Sequence, residues 1–255
     1  EDDLHPETSC RVSANARVEY YTAAGSWVPV ELERPGYVFA GWRELPDGQA
    51  HDYPAGQDVT LTATWRHARL AIDAAGGKTS RYVRDAGGAW VLDYDGGREV
   101  WEAELSPSQP VKAFGYGRSE HFDKDGSWYA MKTERAGYVF AGWKEAPLSW
   151  AAVRDYPAGQ DVTLTATWRY TRITIDGNGG KVCPLAQGTD GKWVPNLDAA
   201  VGVWQDDKAP MAGVRVYQGS AQVDYAGTDN AWRHMQTLRP GYKFVSWQGA
   251  SVPDG

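Results

Sequence analysis

Fifteen residues, Asp-Tyr-Pro-Ala-Gly-Gln-Asp-Val-Thr-Leu-Thr-Ala-Thr-Trp-Arg, occur twice without a change, as Asp52 to Arg66 and as Asp155 to Arg169. Self-similarity at a fixed spacing sets the architecture of a chain, and here the copies begin 103 residues apart (155 minus 52). Asp-Tyr-Pro-Ala-Gly reads as a turn, because Pro presets its own φ and Gly accepts φ values closed to other residues. The rest of the word reads as extended chain. Val59, Leu61, Ala63 and Trp65 fall on one face and Thr60, Thr62 and Thr64 on the other, the period-two alternation of a half-buried strand. Nothing in the word is catalytic.

Other matches recur at 101 (137 minus 36) or 103 (172 minus 69) residues. Gly36 to Trp42 returns as Gly137 to Trp143, and Arg69 to Lys78 returns in altered form as Arg172 to Lys181. Pro35-Gly36 suits the centre of a type II turn running into a strand, and Gly41 allows a bulge. Trp90 to Tyr94, Asp95-Gly96-Gly97 and Arg98 to Trp101 carry hairpin signals. Glu99 to Leu105 reads as one or two helical turns ended by Pro107 and Pro110, and short strands are expected at Val111 to Tyr116 and on either side of Asp125-Gly126. The matches predict three units: a partial first over 1–66, a complete second over 67–169, and a third over 170–255 that lacks its last strand. In an alternative phase, the Gly-Tyr-to-Trp modules are separate small domains, with spacers beginning at Arg69 and Arg172. The missing strand predicts an open sheet edge able to pair with a neighbouring repeat or chain.

Three elements recur in order: Ile175-Asp-Gly-Asn-Gly-Gly-Lys181; Arg-Pro-Gly-Tyr-x-Phe-x-x-Trp at Arg34 to Trp42 and Arg239 to Trp247; and Val-Thr-Leu-Thr-Ala-Thr-Trp at Val59 to Trp65 and Val162 to Trp168. Together they resemble the Listeria-Bacteroides repeat, or internalin B-repeat, of bacterial surface proteins, with an inserted segment between the Gly-Gly-Lys turn and the Gly-Tyr strand. The resemblance implies a mainly β fold of small β-grasp-like α+β units in tandem, forming an elongated array of about two to three units. It further implies secretion, display on the bacterial surface, and work as a stalk or adhesin. It carries no catalytic residues.

The net charge is −7, from 26 basic and 33 acidic residues, which argues against nucleic acid and anionic membranes as partners. No apolar run approaches the length of a membrane span, and the N-terminal ten residues lack a signal-peptide pattern. Cys10 and Cys183 are not equivalent in the repeat, so a disulfide in every unit is excluded; one long-range bridge and two free thiols both remain open. His5, His51, His67, His121 and His234 show no metal-ligand spacing and read as ordinary surface histidines. Asp123-Lys-Asp-Gly126 reads as a turn rather than a calcium loop, since the remaining ligands are missing. The Gly-Gly-Lys turns lack the spacing of a phosphate loop. No metal and no cofactor are expected.

Thirteen tryptophans against five phenylalanines is the unusual ratio, and twelve of the thirteen recur in register. Recurrence within a repeat is what a structural core produces, so Trp42, Trp65, Trp143, Trp168 and Trp247 are expected to be core anchors. Trp150 has no counterpart. It lies in a loop two residues longer than the one it matches, and it is the candidate ligand-binding residue. The sequence therefore points to a non-enzymatic extracellular repeat segment of a bacterial cell-surface protein, a stalk or adhesin contacting host protein or glycan. The alternative is a carbohydrate-binding module of a secreted glycosidase.

Overall fold

The structure, a computed structural model, describes residues 3–45 and 48–249. Among the described residues it is mainly β, with one short 3-10 turn at Leu197–Ala199 and no α-helix. The chain divides into two compact units: Glu1–Thr133 with Gly142–Ala166, and Glu134–Ala141 with Thr167–Gly255.

In the first unit, β1 (Cys10–Val12), β2 (Arg17–Tyr21) and β3 (Trp27–Glu31) form an antiparallel meander. After it, β4 (Tyr37–Trp42) leaves for a second sheet, β5 (His51–Tyr53) returns to pair with β1, and β6 (Ala63–His67) pairs with β4. The two sheets share a core of Cys10, Val12 and Trp42, against which Phe39 and Leu61 pack. A turn closed by Tyr37 N–H on the Arg34 carbonyl feeds β4. The ladder slips between Phe39 and Gly41, where Gly41 stands at φ +125°, a value side chains resist.

The next ten strands build two larger sheets. They are β7 (Arg69–Asp73), β8 (Lys78–Arg84), β9 (Trp90–Leu92), β10 (Val100–Glu104), β11 (Val111–Phe114), β12 (Arg118–Phe122), β13 (Trp128–Glu134), β14 (Tyr138–Trp143), β15 (Val153–Tyr156) and β16 (Val162–Tyr170). One sheet runs β10-β7-β16-β14 and the other β15-β11-β12-β13-β8-β9. Leu70, Ile72 and Leu164 are fully buried, each worth about 1.5–3 kcal/mol of transfer from water as an upper figure. Along β16, Val162, Leu164 and Ala166 are buried while Thr163 and Thr167 are exposed, the alternation read from the repeated word.

Parallel pairing of β16 with β7 sets Val162 to Thr165 against Leu70 to Asp73. It is clamped at its start. The Asp161 carboxylate accepts two bonds from the Arg66 guanidinium, at 2.8 and 2.6 Å, and a third from the Arg69 backbone N–H at 2.9 Å. The Arg66 bonds come first among the influences holding the Asp161 carboxyl below the usual aspartate range.

Two sequence expectations are corrected here. Glu99 to Leu105 contains no helical turn; Val100–Glu104 is β10, antiparallel to β7 along its length. Nor do the segments flanking Asp95-Gly96-Gly97 form a hairpin. Trp90–Leu92 pairs with β8 whereas Val100–Glu104 pairs with β7, so the turn carries the chain from one sheet to the other. Both errors have one cause: local turn and helix propensities do not report the long-range edge that β7 offers.

The remaining strands are β17 (Arg172–Asp176), β18 (Lys181–Gln187), β19 (Trp193–Pro195), β20 (Val203–Asp207), β21 (Val214–Val216), β22 (Gln222–Ala226) and β23 (Trp232–Leu238). They form a β17-β20 pair and a sheet ordered β19-β18-β23-β22-β21. Ile173, Ile175, Val182, Val223, Tyr225 and Met235 make the shared core, with Trp204 and Trp247 packed against it. Cys10 and Cys183 are both buried and unbridged, and burial pushes both thiols up, away from the reactive thiolate.

Candidate functional site

Trp150 is 65% exposed, on a turn between β14 and β15. The turn is held rather than loose. Ala152 N–H donates to the Ser149 carbonyl and Gly115 N–H to the Ala152 carbonyl, both at 2.9 Å. Gly115 is required there, because any Cβ would run into the Ser149 carbonyl. The result brings Trp150 beside Tyr116, ring centroids 5.8 Å apart and planes tilted 45°. Tyr116 in turn lies 5.5 Å from Phe114. Lys132 Nζ donates to the Tyr116 carbonyl at 2.9 Å and sits 5.4 Å from its ring, adding a cation at the middle ring of the row.

Tyr116 was not among the residues the sequence singled out. A signal was present: neither ring of the pair recurs, since the repeat register puts Asn15 and Gly219 where Tyr116 stands. Two of the non-recurring aromatics of the second repeat thus meet in space.

The recurring tryptophans divide. Trp42 and Trp143 are buried, at 5% and 1% exposure, and each indole N–H donates to an equivalent carbonyl, of Ser13 at 3.1 Å and of Phe114 at 3.0 Å. Trp65 and Trp168 are half-buried, edge-on to Phe39 and Phe140 with centroids 5.7 and 5.5 Å away. Trp247 is half-buried beside Phe244, with a buried indole N–H that finds no acceptor among the described residues. In contrast, Trp27, Trp90, Trp128, Trp193 and Trp232 recur and yet are exposed. Trp90 and Trp128 pack edge to face, 5.7 Å apart, with Arg84 over Trp90; Arg215 lies over Trp232. Recurrence thus marks repeated surface as well as repeated core.

A cleft of about 1110 Å³ opens in the first unit between the Gly56-to-Leu61 segment and Cys10, Val18, Tyr20 and Val30. At the equivalent positions of the second repeat, Val111, Ser119, His121 and Met131 are all buried. His121 therefore departs from the surface setting expected of it. Its imidazole is stacked on Tyr129 at 5.4 Å, and burial lowers its pKa to about 4. The Asp123 carboxylate is occupied by the backbone N–H groups of Asp125 and Ser127, which makes Asp123 to Ser127 a turn. Among the described residues, no three His, Cys, Asp or Glu side chains converge as a metal site, and no helix is long and apolar enough to cross a membrane.

Comparison with known families agrees with the resemblance drawn from the motifs. Residues 8–65 match the model of the Listeria-Bacteroides repeat domain, the span that holds β1 to β5 and most of β6. No curated protein and no solved structure matches the chain.

Proposed function

We propose that the chain is a load-bearing spacer: a non-enzymatic, extracellular repeat segment of a bacterial surface protein that holds another part of the molecule away from the cell. The repeat family matched at residues 8–65 is found in bacterial surface proteins, which supports both the setting and the absence of catalysis.

The observation that carries the mechanical reading is the parallel pairing of β7 with β16, the first and last strands of the complete repeat. Tension along the chain enters at Arg69 and leaves at Tyr170. In a parallel pair those points lie at opposite ends of the ladder, so the load shears all its hydrogen bonds together instead of peeling them one at a time. The Arg66–Asp161 clamp ties the end of β6, just ahead of β7, to the start of β16 and adds charge-assisted bonds to the sheared set.

Single-molecule force spectroscopy on the chain tethered at its ends tests this. The repeat should open in one step, releasing about 100 residues or about 35 nm of contour. Leu164→Pro, which removes a donor from the β7–β16 ladder, should lower the opening force sharply. Gradual extension without such a step sinks the mechanical reading. Protease treatment of intact producing cells should release peptides of this chain, and failure to do so would sink the surface reading.

Trp150 and Tyr116 favour a second reading, a contact with host glycan or with polysaccharide, as in an adhesin or a carbohydrate-binding module. Two neighbouring rings present apolar faces of the kind on which sugar rings stack. Glycan-array binding that disappears in Trp150→Ala and Tyr116→Ala, with unchanged melting, supports it; a blank array counts against it.

A further inference from the structure

The arginine of the clamp at the start of the β7–β16 pair has a counterpart in the next repeat. Arg169 stands where the repeat puts Arg66, and its Nη1 donates to the next carbonyl, of Tyr170 at 3.4 Å, as Arg66 Nη1 does to His67 at 3.0 Å. Arg66 also grips Asp161. Arg169 has no carboxylate partner among the described residues. Three residues on, Arg172-Ile-Thr-Ile-Asp176 forms β17, the counterpart of Arg69-Leu-Ala-Ile-Asp73 in β7. Both strands have an antiparallel neighbour on one side, β20 for β17 and β10 for β7. On its other side β7 has β16, and β17 has no strand among the described residues.

The free edge has usable geometry. Lys208 N–H bonds the Thr171 carbonyl and Gly177 N–H the Gly202 carbonyl, so the odd-numbered residues between them exchange bonds with β20. Alternation then turns the backbone groups of Arg172, Thr174 and Asp176 outward. Those three residues are exposed, whereas Ala71 and Asp73, their counterparts under β16, are half-buried. Nearby, the buried Trp247 indole N–H has no acceptor among the described residues, although its counterparts Trp42 and Trp143 each have one.

We propose that the free edge of β17, with Arg169, is a strand-accepting site for an extended peptide carrying the Asp-Val-Thr-Leu-Thr of the repeated word, added parallel to β17. The filled version at β7 gives the register: the aspartate meets Arg169 and the Arg172 N–H, valine and leucine lie opposite Ile173 and Ile175, and the two threonines lie opposite Thr174 and Asp176. The same letters at Val59 to Thr62, which have no β7-type neighbour, are not a strand. Strand formation by the word thus follows the presence of its partner edge. The site is independent of the spacer reading.

The test uses the intact chain and a fluorescein-labelled peptide, Gly-Gln-Asp-Val-Thr-Leu-Thr-Ala-Thr-Trp-Arg-His, followed by anisotropy. Saturable binding is expected. Arg169→Ala in the protein, or Asp→Asn in the peptide, should each weaken it roughly five- to tenfold, as for loss of a charge-assisted bidentate pair. Arg169→Asp with a peptide bearing Arg at the aspartate position should recover part of the loss. A peptide with N-methylleucine at its leucine should not bind, since in the β7–β16 pattern that N–H is the one the outward Thr174 carbonyl would accept. The peptide variants are measured on the unaltered protein and decide the matter even where an Arg169 variant fails to fold. Equal binding of a scrambled peptide, indifference to Asp→Asn, or no saturation below about 1 mM, near the limit of weak specific association, overturns the proposal.

Discussion

Gly36→Ala is the sharpest test of how the repeats are joined. Gly36 stands at φ +81°, and a Cβ there would fall inside the Pro107 carbonyl. In the second compact unit Gly137, at φ +79°, bears the same relation to the Pro210 carbonyl. The equivalent turn in two repeats thus closes on the backbone of the equivalent proline. Two costs follow for an alanine. Holding it at positive φ costs about 1–2 kcal/mol, and forcing its methyl against a backbone carbonyl costs about 1–3 kcal/mol more. Gly25→Ala separates them, because Gly25 has φ +87° but only the Tyr21 hydroxyl, 3.8 Å away, near its Cβ position. Thermal and urea unfolding of the intact chain should show Gly36→Ala and Gly137→Ala destabilised by about 2–5 kcal/mol and Gly25→Ala by about 1–2 kcal/mol. For a unit of this size that is roughly 5–15 °C against a few degrees. Since the obstacle is a main-chain carbonyl, no side-chain change at Pro107 should rescue Gly36→Ala. Equal losses at Gly36 and Gly25 would refute the close approach.

Three further outcomes are expected. His121 is kept neutral by burial, with its pKa lowered to about 4 from an ordinary value near 6.5. A lowered histidine leaves stability whole above pH 6.5 and erodes it as pH falls from 6.5 toward 4, by up to about 3 kcal/mol; His121→Gln should flatten that slope in urea titrations at pH 7 and 4.5. The Asp161 carboxyl is also held low, so the contribution of its pair with Arg66 is present above the unfolded aspartate range and lost as pH falls below it; Asp161→Asn should remove this lower-pH component, leaving the His121 window in place. Tyr225 is fully buried, and its hydroxyl donates to Asp206 at 2.7 Å while accepting from the Trp204 indole at 2.8 Å. Tyr225→Phe should cost about 1–3 kcal/mol by stranding the Trp204 indole N–H, while Asp206 keeps Arg233; in the second repeat His121 takes the tyrosine's place and the Trp101 indole N–H is buried without a partner among the described residues.

How far the sequence could be read depended on whether a feature was local. Strand alternation in Val162 to Ala166, the turn before Tyr37 and the bulge at Gly41 are all set within a few residues, and the structure holds each of them. Sheet membership was not local. Trp90–Leu92 and Val100–Glu104 flank a good hairpin turn and go to different sheets, because β7 presents an edge that no short window contains. Tyr116 entered the candidate site for the same reason: only the fold brings it to Trp150.

The repeated word shows the limit most directly, because its two copies have the same letters and different structures. Val162 to Thr165 is strand, while Val59 to Thr62 is not, although Thr62 and Thr165 make matching bonds. Each donates its N–H to a glutamate, Glu44 or Glu145, at 2.7 Å, and each carbonyl accepts from the residue after the buried tryptophan, Arg43 or Lys144. One flank of the word is therefore in place in both copies, and what differs is the other flank, occupied by β7 in one case and by no strand among the described residues in the other. Local propensity is equal by identity, so the difference measures tertiary context alone. A segment that becomes strand only when a matching edge lies beside it is suited to join repeats, because register is then set by the partner and by the Asp–Arg clamp rather than by the segment itself.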